Sequence, residues 1–185
     1  MATSAPRLLT YEDYDARPET NRIEELIDGE LVVSEPNWGH QQAVFRIGMM
    51  LLAHADAHED GVVPAPFGIR AGDRTVVQPD LVYFRGDRID FTPTEHRTTT
   101  PPDLVVELLS PSNRSHDLLR KRRISEEHGI REVWFVDWEA GLIEQVSLGT
   151  DGRFGPSVMH GAGDTVASTA IDGLAVDVST VLGLD

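Results

Sequence analysis

The longest helical pattern of apolar residues lies in the first third of the chain. Between about His40 and His58, apolar side chains recur every three or four positions, at Val44, Ile47, Leu51 and Ala55. This spacing predicts a long helix with one buried face.

Capping and turn signals define the elements that precede this helix. Thr10 is the predicted N-cap of a short first helix, with Asp13 in the position of the capping-box acid. Further along, Asp28-Gly29 separates two apolar runs within residues 25–33. A dipeptide of this kind between apolar runs predicts a β-hairpin.

The middle of the chain has the composition of strands joined by turns. A strand interrupted by prolines is predicted over Val62–Arg70, a second over Thr75–Phe84, and a third, apolar almost throughout, over Leu104–Leu109. The polar, proline-containing segment Arg85–Pro102 is interpreted as a surface excursion.

The last third predicts one more helix and a return to strands. The helix spans Ser115–His128 and ends at Gly129. A buried strand, a peripheral antiparallel hairpin and a short last helix follow, over Val133–Trp138, Leu142–Met159 and Asp177–Leu182. The whole pattern predicts one α/β (α+β) domain over residues 1–185.

Two carboxylates stand inside apolar strand segments. Asp80 lies in the segment Gln78–Tyr83, and Glu107 lies in Asp103–Leu109. A carboxylate in a buried strand is costly unless a cation, a proton or hydrogen-bond donors compensate it. Two such positions in one region indicate a functional site.

The helix after these strands carries the only lysine of the chain. On a helical projection Lys121 falls between the inward-facing Leu118 and Ile124, whereas the neighbouring arginines point to the flanks or outward. Because an inward ammonium needs a partner, Glu107 is its expected counterion. Two strand carboxylates followed by a lysine are the parts of a magnesium-dependent site that cleaves phosphodiester bonds.

Composition narrows the possible partners. The net charge is −15, so nucleic acid can only be contacted through a local basic patch. We assign this role to arginines around the lysine helix, namely Arg114, Arg120, Arg122 and Arg123. The chain has no cysteine, no apolar run of membrane length and no signal-peptide core, so a cytoplasmic protein is expected.

Taken together, these motifs resemble the Uma family, restriction-endonuclease-like proteins of the PD-(D/E)XK nuclease superfamily. The resemblance rests on Glu-Leu-Ile-Asp-Gly-Glu at 25–30, His40, Gln78-Pro79-Asp80, the segment 106–112, Asp117, Lys121 and the segment 133–137. It implies a central mixed sheet flanked by helices, a divalent metal and phosphodiester hydrolysis. The superfamily lysine usually stands two residues after the glutamate, where this chain has Leu109, and Lys121 on the next helix matches the family's own arrangement.

The chemistry assigns a role to each residue. Asp80 and Glu107 are the expected ligands of Mg²⁺ or Mn²⁺, and Lys121 would stabilise charge at the reacting phosphate. Glu25 would complete the metal shell or take part in proton transfer, although Glu24 and Glu30 are neighbouring alternatives. His40 could contact a substrate phosphate or be a structural histidine.

Three classes of function therefore remain open. A metal-dependent endonuclease acting on DNA is favoured over a nuclease fold that binds without turnover. A small-molecule hydrolase is a third possibility, which the acidic surface favours, but the chain has no Gly-x-Ser-x-Gly elbow and no cysteine nucleophile. A homodimer is the candidate assembly.

Overall fold

A computed structural model describes residues 7–18, 20, 22–109 and 114–184, and for residues 114–117 the backbone only. Ser110-Pro111-Ser112 and the side chains of Arg114 and Asp117 lie outside the described part. The helices are α1 Tyr11–Asp15, α2 Trp38–His58, α3 Arg114–His128 and α4 Val178–Leu182. The strands are β1 Ile23–Ile27, β2 Glu30–Ser34, β3 Gly61–Val62, β4 Gly68–Gly72, β5 Thr75–Val77, β6 Leu81–Arg85, β7 Arg97–Thr98, β8 Leu104–Leu108, β9 Glu132–Asp137, β10 Leu142–Ser147, β11 Val158–His160, β12 Thr165–Ala167 and β13 Ala175–Asp177.

Two mixed sheets form the framework. The central sheet has the order β11-β10-β9-β8-β6-β3, and its only parallel pair within the described residues is β8 with β9. The second sheet has the order β2-β1-β5-β4-β7, and β12 pairs with β13 separately. The predicted mixed sheet flanked by helices is confirmed.

The central sheet is covered on both faces, which explains the apolar composition of its middle strands. On one face, Val106 and Trp134 pack against the buried side of α2. On the other, Val105 and Phe135 share a core with Ile124 of α3 and with the second sheet. Each middle strand therefore has one face toward α2 and one toward α3.

Local signals placed several elements correctly. Thr10 and Asp13 form the predicted capping box of α1. Asp28 and Gly29 both adopt positive φ, 53° and 84°, as a tight hairpin turn between β1 and β2 requires. Gly129 ends α3 with a φ of 80°.

The strand predicted over Thr75–Phe84 is wrong, because the structure divides it between the two sheets. Strand β5 belongs to the second sheet and β6 to the central sheet. Pro79 stands in the break between them, and proline has no N–H to continue a ladder. Asp80 therefore lies at the junction of the two sheets, immediately before β6.

Three further boundaries differ from the prediction. Helix α2 begins at Trp38, because Asn37 caps it by accepting from the His40 amide. The segment 85–102 is more than a surface excursion, since Phe91 packs against Phe67 and Phe84 and β7 pairs with β4. The predicted C-terminal hairpin is present, and its strands β10 and β11 extend the central sheet to its edge.

Candidate active site

The two predicted metal ligands lie at neighbouring positions of the central sheet. Strands β6 and β8 are antiparallel with Leu81 opposite Val106. Continuing this register by one residue places Asp80 opposite Glu107, and residues directly opposite project from the same face. The Leu108 amide donates to Asp80 Oδ2 at 2.8 Å and fixes this carboxylate at the sheet junction.

Lys121 reaches this pair from α3. Its Nζ lies 2.7 Å from Glu107 Oε2 and 3.6 Å from Glu25 Oε2. The projection that turned the lysine inward is thus confirmed, as is Glu107 as its counterion. Helix α3 packs on the sheet through Ile124, one turn from the lysine, which holds the ammonium over the carboxylates.

Glu25 joins the cluster from the second sheet. It is buried, and its Oε1 accepts a hydrogen bond from the Gln78 amide at 2.8 Å. Because Gln78 begins the crossing from β5 to β6, this bond ties the second sheet to the residues that position Asp80. Of the three glutamates considered in this hairpin, Glu25 is the one directed at the lysine, whereas Glu24 pairs with Arg17 and Glu30 with Arg120.

The electrostatics of the cluster centre on Glu107, whose exposed fraction is 4%. Burial raises the pKa of Glu107 to about 8, the nearby charge of Lys121 opposes this rise, and Asp80 and Glu25 add to it. Glu107 and Glu25 thus share the ammonium of Lys121, and the charge of Asp80 acts on Glu107.

His40 approaches the same carboxylates from the start of α2. Its Nε2 lies 3.3 Å from Asp80 Oδ2, and its buried Nδ1 has no hydrogen-bond partner among the described residues. The structure therefore places His40 within the cluster. Its predicted contact with substrate phosphate remains a prediction.

The arginines predicted to contact nucleic acid are engaged in ion pairs within the protein. Arg122 lies 2.9 Å from Glu144 and Arg123 lies 2.7 Å from Asp28. Arg122 is also less outward-facing than the projection suggested, because its guanidinium reaches back to β10. The side chain of Arg114 lies outside the described residues.

A second group of arginines lines a groove that sequence reasoning missed. The groove opens beside α1 and includes Arg17, Arg22, His96, Arg97 and Gln78. Gln78 is the residue whose amide binds Glu25, so the groove borders the carboxylate cluster. Two of its arginines are held by the nearby acids Glu24 and Asp15, at 3.2 and 2.7 Å. No sequence motif marks this set, because its members are distant in the chain.

The donor set fits a hard divalent cation. Carboxylate oxygens are the ligands that Mg²⁺ prefers, and one or two suffice because the ion keeps several waters. Asp80 and Glu107 provide such a pair, and burial raises the pKa of Glu107. Across the described residues, no group of three or more His, Asp or Glu side chains is already arranged as a metal centre. Any ion would thus depend on this pair and on water.

Sequence reasoning also missed a further buried carboxylate, immediately before β8. Asp103 is fully buried, accepts from the Arg85 amide at 2.9 Å and from Arg88 at 2.6 Å, and forms an ion pair with Arg131 at 2.9 Å. Its position before an apolar strand resembles that of Asp80, but its partners are two arginines from distant segments.

Comparison with known proteins identifies the family of the chain. The model of the family Uma2, described as "Putative restriction endonuclease", matches residues 10–179. The chain belongs to this family. The match includes Glu25, Asp80, Glu107 and Lys121, and membership identifies the protein as a nuclease, a hydrolase acting on nucleic acid.

A solved structure shows the same fold at low sequence identity. It is the crystal structure of a "putative nuclease belonging to DUF820" from Anabaena variabilis ATCC 29413, with a TM-score of 0.82 and 15% identity. The alignment covers 95% of this chain and 98% of the other. No curated protein sequence matches the chain. In the part of the chain that the structure describes, no helix has both the length and the apolar composition to cross a membrane.

Proposed function

We propose that the protein is a metal-dependent endonuclease that hydrolyses phosphodiester bonds of DNA. The observation that carries this proposal is the contact of the Lys121 ammonium with the buried carboxylates Glu107 and Glu25, beside Asp80, whose charge acts on Glu107. The restriction-endonuclease description of the family favours DNA over RNA as the substrate.

Asp80 and Glu107 would hold the divalent cation, Mg²⁺ or Mn²⁺. When bound, the ion supplies a water of lowered pKa and neutralises charge on the phosphate oxygens. Glu107 must give up its proton to become a ligand, and the Leu108 amide keeps Asp80 directed at the same point. Metal affinity should therefore rise with pH until Glu107 is ionised.

Lys121 acts at the reacting phosphate in this proposal. Its ammonium is held between Glu107 and Glu25, and it donates to the attacking water or to a phosphate oxygen as negative charge develops. Glu25 positions the lysine and would accept a proton from the attacking water. His40 would contact a phosphate oxygen beside Asp80 through Nε2, the ring nitrogen that lies 3.3 Å from Asp80 Oδ2.

The groove beside α1 is the best-supported path for the nucleic-acid backbone. The chain carries a net charge of −15, so phosphates must be bound locally. The arginines of α3 are held by Glu144, Asp28 and Glu127. The groove instead is lined by Arg17, Arg22 and Arg97, which outnumber its two lining acids. It borders the site at Gln78.

The direct test is cleavage of defined substrates by the purified protein. Single- and double-stranded DNA and RNA of one sequence would be incubated with Mg²⁺, with Mn²⁺ or with a chelator. We expect metal-dependent cleavage of DNA that Asp80→Asn abolishes. Cleavage that persists in Asp80→Asn would point to a contaminating nuclease, and absence of both binding and cleavage would overturn the proposal.

One observation favours a second candidate, a nuclease fold that binds nucleic acid without turnover. Lys121 already forms a 2.7 Å contact with Glu107, and no three-ligand metal group is present among the described residues. A protein of this kind would bind nucleic acid equally well with metal and with chelator. Binding without cleavage under every metal condition would support this candidate over the first.

A further inference from the structure

Helix α2 presents a line of large apolar side chains to solvent. Its buried side packs on the central sheet through Ala43, Ile47, Leu51 and Ala55. On the opposite side, the exposed fractions are 76% for Trp38, 66% for Phe45, 70% for Met49 and 49% for Leu52. Four such residues in one line are unusual for the surface of a monomer, where large apolar side chains are usually scattered.

The spacing of these residues is that of a coiled-coil seam. Trp38, Phe45 and Leu52 are seven residues apart, and Met49 lies four after Phe45 and three before Leu52. The remaining seam positions are polar, with Gln42 near one end and Asp56 near the other. A seam of this pattern is built to pack against another helix.

The seam residues of α2 are complementary to those of a second, antiparallel copy of the same helix. With the two-fold axis at Ile47, Phe45 meets Met49 of the partner subunit and Gln42 meets Leu52 of the partner subunit. Sulfur–aromatic contacts of the first kind are favourable. The same register places Trp38 against Asp56 of the partner subunit, so the indole N–H of the seam faces its only carboxylate. A parallel pairing would instead bring like residues together.

The exposed area is of the size that a modest dimer interface needs. Two aromatic and two aliphatic side chains at these exposures present on the order of 500 Å² of apolar surface. The flanking residues of a helix about 31 Å long add to it. A standard interface buries about 800 Å² on each partner.

We propose that the exposed face of α2, defined by Trp38, Phe45, Met49, Leu52 and Asp56, is the interface of an antiparallel homodimer. The two His40 residues, and with them the two candidate active sites, would then lie about 20 Å apart along the helix axes. Only this last consequence rests on the proposed nuclease function. The dimer itself does not.

The test is the solution mass of the full chain. By light scattering or sedimentation, from about 100 µM to about 1 µM protein, we expect a species near twice 20.4 kDa that dissociates on dilution. Phe45→Glu places two carboxylates beside the axis and should leave a monomer. Leu119→Glu, at an equally exposed apolar residue of α3, should leave the dimer intact.

A second variant separates loss of the interface from loss of the fold. Asp56→Ala removes the partner of Trp38 in both symmetry-related contacts without adding charge, and we expect a dissociation constant about thirtyfold higher, the equivalent of about two hydrogen bonds. Thermal unfolding followed by circular dichroism verifies that each variant is folded. A wild-type protein that remains monomeric at the highest concentration, or a folded Phe45→Glu variant that remains dimeric, would overturn the proposal. These measurements do not depend on cleavage.

Discussion

Strand β8 has a buried carboxylate at each end, and the two are compensated in different ways. Asp103, just before the strand, receives one amide and two guanidinium groups. Glu107, near the end of the strand, shares the ammonium of Lys121 with Glu25, and burial raises its pKa to about 8. The first carboxylate is paired with cations from two distant segments and joins them to the strand. The second is a buried carboxylate with a perturbed pKa, a feature typical of functional sites.

The largest effect expected is on cleavage, at the end of β8 that carries Glu107. Lys121→Met keeps the volume of the side chain and removes the charge. We expect cleavage to fall about 10²- to 10³-fold, because a donor to the developing phosphate charge is lost. Initial rates on one DNA substrate measure this.

Arg153→Met is the matched control for that variant, because this arginine is exposed and pairs with Glu126, away from Glu107. Its rate should equal that of the parent protein. Equal rates for Lys121→Met and the parent would remove the lysine from the proposed mechanism.

Asp103, at the other end of β8, should contribute to the stability of the fold. Asp103→Ala leaves Arg88, Arg131 and the Arg85 amide without their common acceptor, and we expect a loss of about 3 kcal/mol in the free energy of unfolding. Urea unfolding gives the value. Asp87→Ala removes an exposed acid near Arg85 and should change stability by less than about 0.5 kcal/mol. Similar losses in the free energy of unfolding for both variants would mean that the buried contacts of Asp103 do not stabilise the fold.

The pH dependence of stability provides a further test of the difference between Asp103 and Glu107. Because the pKa of Glu107 is raised in the folded state, the fold binds a proton that the unfolded chain releases near pH 4.5. The stabilisation that protonated Glu107 gives the fold is therefore complete below pH 4.5 and is lost as pH rises through about 8. Glu107→Gln should flatten this decline and gain about 1–2 kcal/mol relative to the parent at pH 9.

The exposed Glu127→Gln serves as the control for this titration, since its side chain pairs with Arg123 at the surface. Parallel stability curves for the parent and Glu107→Gln between pH 5 and 9 would contradict the raised pKa. The experiment needs no substrate, so it tests the electrostatics of the site separately from catalysis.

The smallest expected effect is thermal stabilisation by metal. At ten times its dissociation constant, Mg²⁺ should stabilise the fold by about 1.4 kcal/mol, which is about 3–6 °C in Tm for a chain of this size. The shift should be larger at pH 8.5 than at pH 6.5, because protons compete for Glu107. Asp80→Asn should remove it, whereas Asp87→Asn should not. An equal shift in all three proteins would indicate binding elsewhere.

Much of the site could be predicted because its signals are local. The inward direction of Lys121 follows from helical periodicity around Leu118 and Ile124, and the cost of burying Glu107 follows from its apolar neighbours. The β1–β2 turn was equally accessible, since Asp28-Gly29 adopts the positive φ values that the turn requires. Each of these predictions depends only on residues within a few positions of one another.

The tertiary structure decided which partners each charge acquires. It separated β5 from β6 at Pro79, brought Glu25 from the second sheet to Lys121, and paired Arg122 and Arg123 with Glu144 and Asp28. It also distinguished Asp103 from Glu107, although both are acids beside the same apolar strand. Ion pairs join side chains that are far apart in the chain, so local pattern and composition do not encode them. The sequence alone thus determined which residues are costly to bury, and the fold determined which of them are compensated.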